Sequence, residues 1–148
     1  MISGAAVMTF DPRPGAALPA IAKHIDQEQI DRWARLSGDF NRLHVDPEYA
    51  AGTKFGGTIA HGPLSLAFLN ELMMACFDEE WAAGGRLLEV RFTAPIRPGD
   101  DIQIGGRVEA VTADGPDQRV ECRLEITKAD GTPAVTGRGV GRLRGRAR

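Results

Sequence analysis

The sequence predicts an α+β fold in which an antiparallel sheet wraps one buried helix, and two observations predict it. From Leu64 to Phe77 apolar residues fall on nearly every side of a helical repeat, the pattern of a helix buried all round. After Gly84-Gly85 the period changes to alternation, interrupted by clusters of Gly, Pro and Asp, the pattern of half-buried antiparallel strands. Such a helix is most simply buried by curving the sheet around it. No βαβ alternation occurs and no GxGxxG follows a strand, so a dinucleotide-binding fold is disfavoured.

Residues 1–17 read as an extended N-terminal arm, 18–143 as one domain and 144–148 as a basic tail. A short strand is expected around Leu18–His24. Asp26 then has the form of an N-cap, with Gln29 as its capping-box partner and Ile25 and Ile30 placed as a hydrophobic staple. Ile30, Trp33 and Ala34 give this helix one apolar side, and Gly38 is a natural stop. Asp46-Pro47 opens a second, short helix through Tyr49 and Ala51. His61-Gly62-Pro63 opens the buried one. Downstream, Leu88, Val90, Phe92, Ala94 and Ile96 share one strand face, and Ile102, Ile104, Val108 and Ala110 share the next. Arg97-Pro98-Gly99-Asp100 forms the turn between them. Asp114-Gly115-Pro116-Asp117 turns again into a strand whose Val120, Cys122, Leu124 and Ile126 face inward. Ala129-Asp130-Gly131 closes a hairpin into Pro133–Leu143. The expected arrangement is a four-strand meander in which Gly137, Gly139 and Gly141 let another element approach the backbone.

Composition limits the function classes. The 148 residues suit one domain with its own core, and 43% hydrophobic with 26% charged residues is ordinary for a globular chain rather than a disordered one. A net charge of −2 lacks the positive field of a dedicated nucleic-acid binder, and the arginines of 142–148 read as a solvated end. No apolar run approaches the roughly 20 residues of a membrane span. The first residues have no basic, apolar leader, so a soluble cytoplasmic protein is expected. Cys76 and Cys122 sit at apolar positions without a CxxC. The three histidines lack metal-ligand spacing, and isolated His24 reads as a partly buried strand residue. Ser65 lacks the GxSxG context of an esterase nucleophile.

Two segments could carry chemistry. In Ser37-Gly38-Asp39-Phe40-Asn41-Arg42-Leu43-His44-Val45-Asp46 a turn can bring the Asp39 carboxylate and the His44 imidazole onto one target, where a histidine can move a proton at neutral pH. A loop of caps and turns accounts for the same residues. At His61-Gly62-Pro63 the free N–H of Gly62, or one further in, and the positive end of the helix dipole can hold a developing oxyanion. A helix start with proline in its first turn is the alternative there.

The segments SGDFNRLHVDPEYA, FGGTIAHG and RFTAPIRPGD closely resemble the MaoC-like, (R)-specific enoyl-CoA hydratases, with similarity from about residue 20 to 142. The resemblance implies a single hot-dog fold, a sheet wrapped around a long central helix, and a homodimer or higher assembly formed edge to edge. It implies that Asp39 and His44 are the catalytic pair contacting one water and that the Gly62 N–H binds the thioester oxygen. Water would add to a trans-2-enoyl-CoA, or to a carrier-protein thioester, giving a 3-hydroxyacyl thioester. Coenzyme A comes with the substrate, and no separate cofactor or metal is implied. Asn41, Arg42, His61 and Asn70 are expected on the substrate side. Arg42 stands where the family commonly has proline, within reach of a polar substrate group or the CoA phosphates. Asn70 stands where some members have serine. The alternatives are a hot-dog thioesterase using the same cavity and a non-catalytic acyl-CoA-binding partner of a heteromeric hydratase. Retention of both Asp39 and His44 argues against the last.

Overall fold

A computed structural model describes residues 10–145. Residues 1–9 of the expected arm and Arg146, Ala147 and Arg148 of the expected tail lie outside them. Five strands and five helices follow in the order β1 (Ile21–His24), α1 (Gln27–Ser37), α2 (Arg42–Val45), α3 (Pro47–Ala51), α4 (Gly62–Phe77), α5 (Glu79–Gly84), β2 (Arg86–Phe92), β3 (Asp101–Asp114), β4 (Asp117–Lys128) and β5 (Pro133–Leu143). All pairings are antiparallel and the sheet order is β1-β3-β4-β5-β2. The meander therefore holds for β3, β4 and β5 but not for β2, which lies beyond β5 at the far edge. Residues 93–100 must cross from that edge to β3, and the crossing passes the start of α4. There the Ala60 N–H donates to the Ile96 carbonyl at 2.7 Å.

Local signals act largely as read. Asp26 accepts from the Gln29 N–H at 2.7 Å, and Ile25 and Ile30 are fully buried as the staple requires. The capping box itself is only half formed, because Gln29 Oε1, which would accept from the Asp26 N–H, is buried with no hydrogen-bond partner among the described residues. Gly38 ends α1 at φ +79° and donates to the Ala34 carbonyl at 2.9 Å. Asp46 caps α3 by accepting from the Tyr49 N–H at 3.1 Å. That bond, then the Arg42 guanidinium, holds its carboxyl below the usual carboxylate range. Two elements were not expected. Asn41 caps the single-turn α2, and α5 follows α4 directly, burying Trp81. The described part of the N-terminal segment is tied along β3, with Gly15 N–H on the Val108 carbonyl at 2.8 Å and Leu18 N–H on the Gly106 carbonyl at 2.9 Å. Phe10 there meets Phe77 edge-on at 5.6 Å. His24 is exposed, with Nδ1 2.7 Å from an Asp101 carboxylate oxygen, rather than partly buried.

Two β-bulges change which side chains face inward. Between Leu88 and Arg91 the register shifts, with Glu89 at φ +53°, so Leu87 and Val90 pack on the core while Leu88 and Phe92 are exposed. The single inward face expected from Leu88 to Ile96 is thus broken. Strand β2 ends at Phe92, and Ile96 reaches the core from the crossing segment. A second shift between Val108 and Ala110 turns Val111, rather than Ala110, onto the core. Strand β4 has no such break in this stretch, and its four predicted residues Val120, Cys122, Leu124 and Ile126 are fully buried. Burial pushes the thiols of Cys76 and Cys122 up to about 11 and about 12, which leaves both unreactive at neutral pH.

The sheet closes on α4 where β5 lacks side chains. A Cβ on Gly139 would lie 2.7 Å from Met73 Sδ, and one on Gly141 would lie 2.7 Å from the Phe77 ring. Along α4, Leu69, Leu72 and Met73 are fully buried. The helix is not apolar to solvent on every side, since Asn70, Glu71 and Met74 remain exposed. Among the described residues no helix is long and apolar enough to cross a membrane. Overpacking this seam should cost stability: Gly141→Ala is expected to lose about 1–3 kcal/mol in urea unfolding. Gly84→Ala, where an added Cβ has nothing within 4 Å, should stay within about 0.5 kcal/mol.

Candidate active site

The site forms where α2, the segment before α4, the first turn of α4 and the crossing segment 93–100 meet. A cavity of about 420 Å³ opens there, with His44, Gly62 and Ser65 among its polar lining and Phe55, Ile59 and Phe92 among its apolar lining.

His44 is fixed at both backbone and ring. Its carbonyl accepts from Gln27 Nε2 at 2.8 Å, while Gln27 Oε1 accepts from the Thr58 hydroxyl at 2.6 Å, so one side chain ties α1, α2 and the segment before α4. The ring Nδ1 lies 2.8 Å from the Ile59 carbonyl. A carbonyl can only accept, so Nδ1 carries the proton and Nε2 is left as the basic nitrogen. Asp39 lies just outside α2. One of its carboxylate oxygens accepts from the Asn41 N–H at 3.1 Å, and Asn41 Oδ1 in turn accepts from the Leu43 N–H at 3.0 Å. The loop is therefore a series of caps, as one of the two sequence readings has it, and it holds Asp39 next to His44.

His61 is fully buried against these groups. Its ring stacks on that of His44 at 3.9 Å and 27°, and its Nε2 donates to the Asp39 carbonyl at 3.0 Å. Its Nδ1 is buried without a partner among the described residues. Burial away from water, with smaller contributions that include the neighbouring His44, pushes its pKa below the ordinary 6.5 and keeps the ring neutral. Asp39, His44 and His61 each offer a donor atom within 4.8 Å of the others. A metal must lie in the plane of each imidazole it binds, and two stacked rings aim their lone pairs side by side rather than at one point.

Gly62 begins α4 and lines the cavity, with the helix dipole behind its N–H. A Cβ there would come within 3.2 Å of the Phe92 ring. His44 and Gly62 thus line one cavity, while Asp39 lies beside His44 and His61 but outside the lining. The four residues expected on the substrate side are not in the cavity lining. Asn41 caps α2. Arg42 pairs with Asp46 at 2.8 Å and lies 4.5 Å over the Tyr49 ring. His61 stands behind His44. Asn70 accepts from Trp81 Nε1 at 2.9 Å and donates to the Leu66 carbonyl at 3.0 Å, joining α5 to α4. Sequence reasoning missed Gln27 and set Ser65 aside for want of a nucleophile motif. Ser65 was legible in principle, since it lies three residues from Gly62 on the same helix face.

Residues 9–129 match the family described as MaoC like domain. The chain belongs to that family. This MaoC-like chain is 39% identical over 92 residues to 3-hydroxyacyl-thioester dehydratase Z of Mycobacterium tuberculosis, a match covering 60% of this chain and 57% of that relative. It thus spans little more than half of that protein. Against the (R)-specific enoyl-CoA hydratase of Aeromonas caviae it is 31% identical over 126 residues, covering 83% of this chain and 90% of the relative. The solved (R)-hydratase from A. caviae superposes with a TM-score of 0.73 at 29% identity, over 88% of this chain and 96% of that one. The fold is the hot-dog fold, helix α4 wrapped by the five-stranded sheet.

The neutral, buried His61 has a consequence for stability. Unfolding exposes the imidazole, which then binds a proton near pH 6.5, whereas the folded ring resists protonation. The contribution is therefore complete above that pH and is lost as pH falls through the folded pKa. Urea midpoints followed from about pH 7.5 to about pH 5 should fall less steeply for His61→Phe than for the wild type.

Proposed function

We propose that the protein is a hydratase/dehydratase that adds water across the double bond of a trans-2-enoyl thioester, giving the (R)-3-hydroxyacyl thioester. The observation that carries the reading is the His44 tautomer. With Nδ1–H held by the Ile59 carbonyl, Nε2 is a free base in the same cavity as the Gly62 N–H.

A water held between Asp39 and His44 Nε2 attacks C3 while His44 takes one of its protons. The electron pair of the double bond moves toward the thioester oxygen, where the Gly62 N–H and the α4 dipole meet charge that grows only in the transition state. The enolate then recovers a proton at C2 from the His44–Asp39 pair, which ends as it began. Water is consumed as OH at C3 and H at C2. The apolar wall of Phe55, Ile59 and Phe92 takes the acyl chain, and coenzyme A arrives on the substrate, so no further cofactor is needed. The similarity to the A. caviae hydratase supports this substrate class and product hand. The outer edge of β2, unpaired among the described residues and with exposed Leu88 and Phe92 beside it, supports a homodimer in which two sheets join there. The cytoplasm is the proposed location.

Purified protein mixed with crotonyl-CoA and longer enoyl-CoAs should lose enoyl-thioester absorbance without releasing free thiol. Asp39→Asn, which keeps an acceptor for the Asn41 N–H, and His44→Gln should each lower kcat by roughly 10²–10⁴-fold with melting temperature preserved. Thiol release instead of hydration would point to a thioesterase. Wild-type rates in both variants would remove the pair from the mechanism.

A further inference from the structure

The first turn of α4 is poorer in hydrogen-bond donors than a helix N-terminus usually is. Pro63 has no N–H, and the Leu64 N–H is already placed 3.1 Å from the His61 carbonyl. This leaves the Gly62 N–H, which lines the cavity, as the free backbone donor among residues 62–64. A developing oxyanion is ordinarily met by more than one aimed donor.

The same face of the helix carries a candidate. Ser65 lies one turn beyond Gly62, lines the same cavity, and is 4% exposed. Other hydroxyls are committed: Thr93 in the cavity wall donates to the Pro133 carbonyl at 2.6 Å, and Thr58 before α4 donates to Gln27 Oε1 at 2.6 Å. The Ser65 hydroxyl makes no such bond to any described residue. It is also not an enclosed orphan like His61 Nδ1, so the little surface it has opens onto the cavity.

We infer that Ser65 is a second oxyanion donor, its hydroxyl joining the Gly62 N–H on the thioester oxygen of the substrate. The inference rests on the thioester site proposed above and adds a residue to it. Helical side chains tilt toward the N-terminus, so the Ser65 Cβ leans back toward Gly62. In a capping box a glutamate spans the same three-residue interval to reach a backbone N–H. The hydroxyl donates its proton in a hydrogen bond and forms no covalent bond to the substrate.

Two measurements on the full-length protein test this. With crotonyl-CoA, Ser65→Ala should lower kcat by roughly 100-fold with KM changed by no more than about threefold. Ser65→Thr, which restores the hydroxyl, should recover most of the rate. Separately, the infrared carbonyl stretch of bound butyryl-CoA labelled with ¹³C at C1 should lie at lower frequency in the wild type than in Ser65→Ala, because one donor is missing in the variant. The second readout needs no turnover, so a wild type inactive on every enoyl-CoA would sink the hydratase reading while the spectrum still judged Ser65. An unchanged stretch in Ser65→Ala, or a kcat within about twofold of wild type in an active protein, would overturn the inference.

Discussion

The seam between β5 and α4 is the constraint on which the rest depends. Glycines at 139 and 141 allow the Met73 and Phe77 side chains to press on strand backbone, so a 16-residue helix lies within a sheet of only five strands. Once α4 is held there, its N-terminus is carried to the place where residues 93–100 cross from β2 to β3. That crossing exists because β2 pairs with the far side of β5. The cavity is therefore a product of strand order as much as of the residues that line it.

Against that fixed helix end, the polar groups are held by backbone carbonyls. Ile59 takes the ring proton of His44 and Asp39 takes that of His61, so each imidazole has one nitrogen defined and one left over. The leftover nitrogen of His44 belongs to a residue lining the cavity, whereas that of His61 is buried without a partner. Leaving a buried acceptor unsatisfied destabilises the fold, by about 1–3 kcal/mol in typical cases. The return is a rigid, neutral ring stacked on His44 that also fixes the backbone of Asp39. Gln27 performs the same service at the His44 carbonyl.

Much of this was legible from the chain because the signals were local. Caps at Asp26 and Asp46, the stop at Gly38, the apolar helix from Leu64 and the inward row Val120 to Ile126 depend on neighbours a few residues away. Spacing alone left Asp39 and His44 explicable as turn residues, and their proposed roles come from resemblance to a known family. What stayed hidden depends on contacts remote in sequence. The bulges at Glu89 and Glu109 reverse faces that alternation had assigned, and the pairing of β2 with β5 cannot be read from order along the chain. Asn70 and Arg42 sit in stretches that matched the family, yet Asn70 is engaged by Trp81 and Arg42 by Asp46 and Tyr49, pairings set by this sequence's own α5 and α3. Ser65 was set aside for want of a nucleophile motif, although its spacing from Gly62 already placed it on the same face.

The arrangement turns on which nitrogen of His44 is bare, and ¹⁵N NMR of histidine side chains reads that directly. With three histidines in the chain, each signal can be assigned by a single substitution. In their neutral forms His44 should appear as the Nδ1–H tautomer and His61 as the opposite, Nε2–H tautomer. A His44 protonated on Nε2 alone would have no base to offer a water in the cavity and would contradict the proposed chemistry at its root.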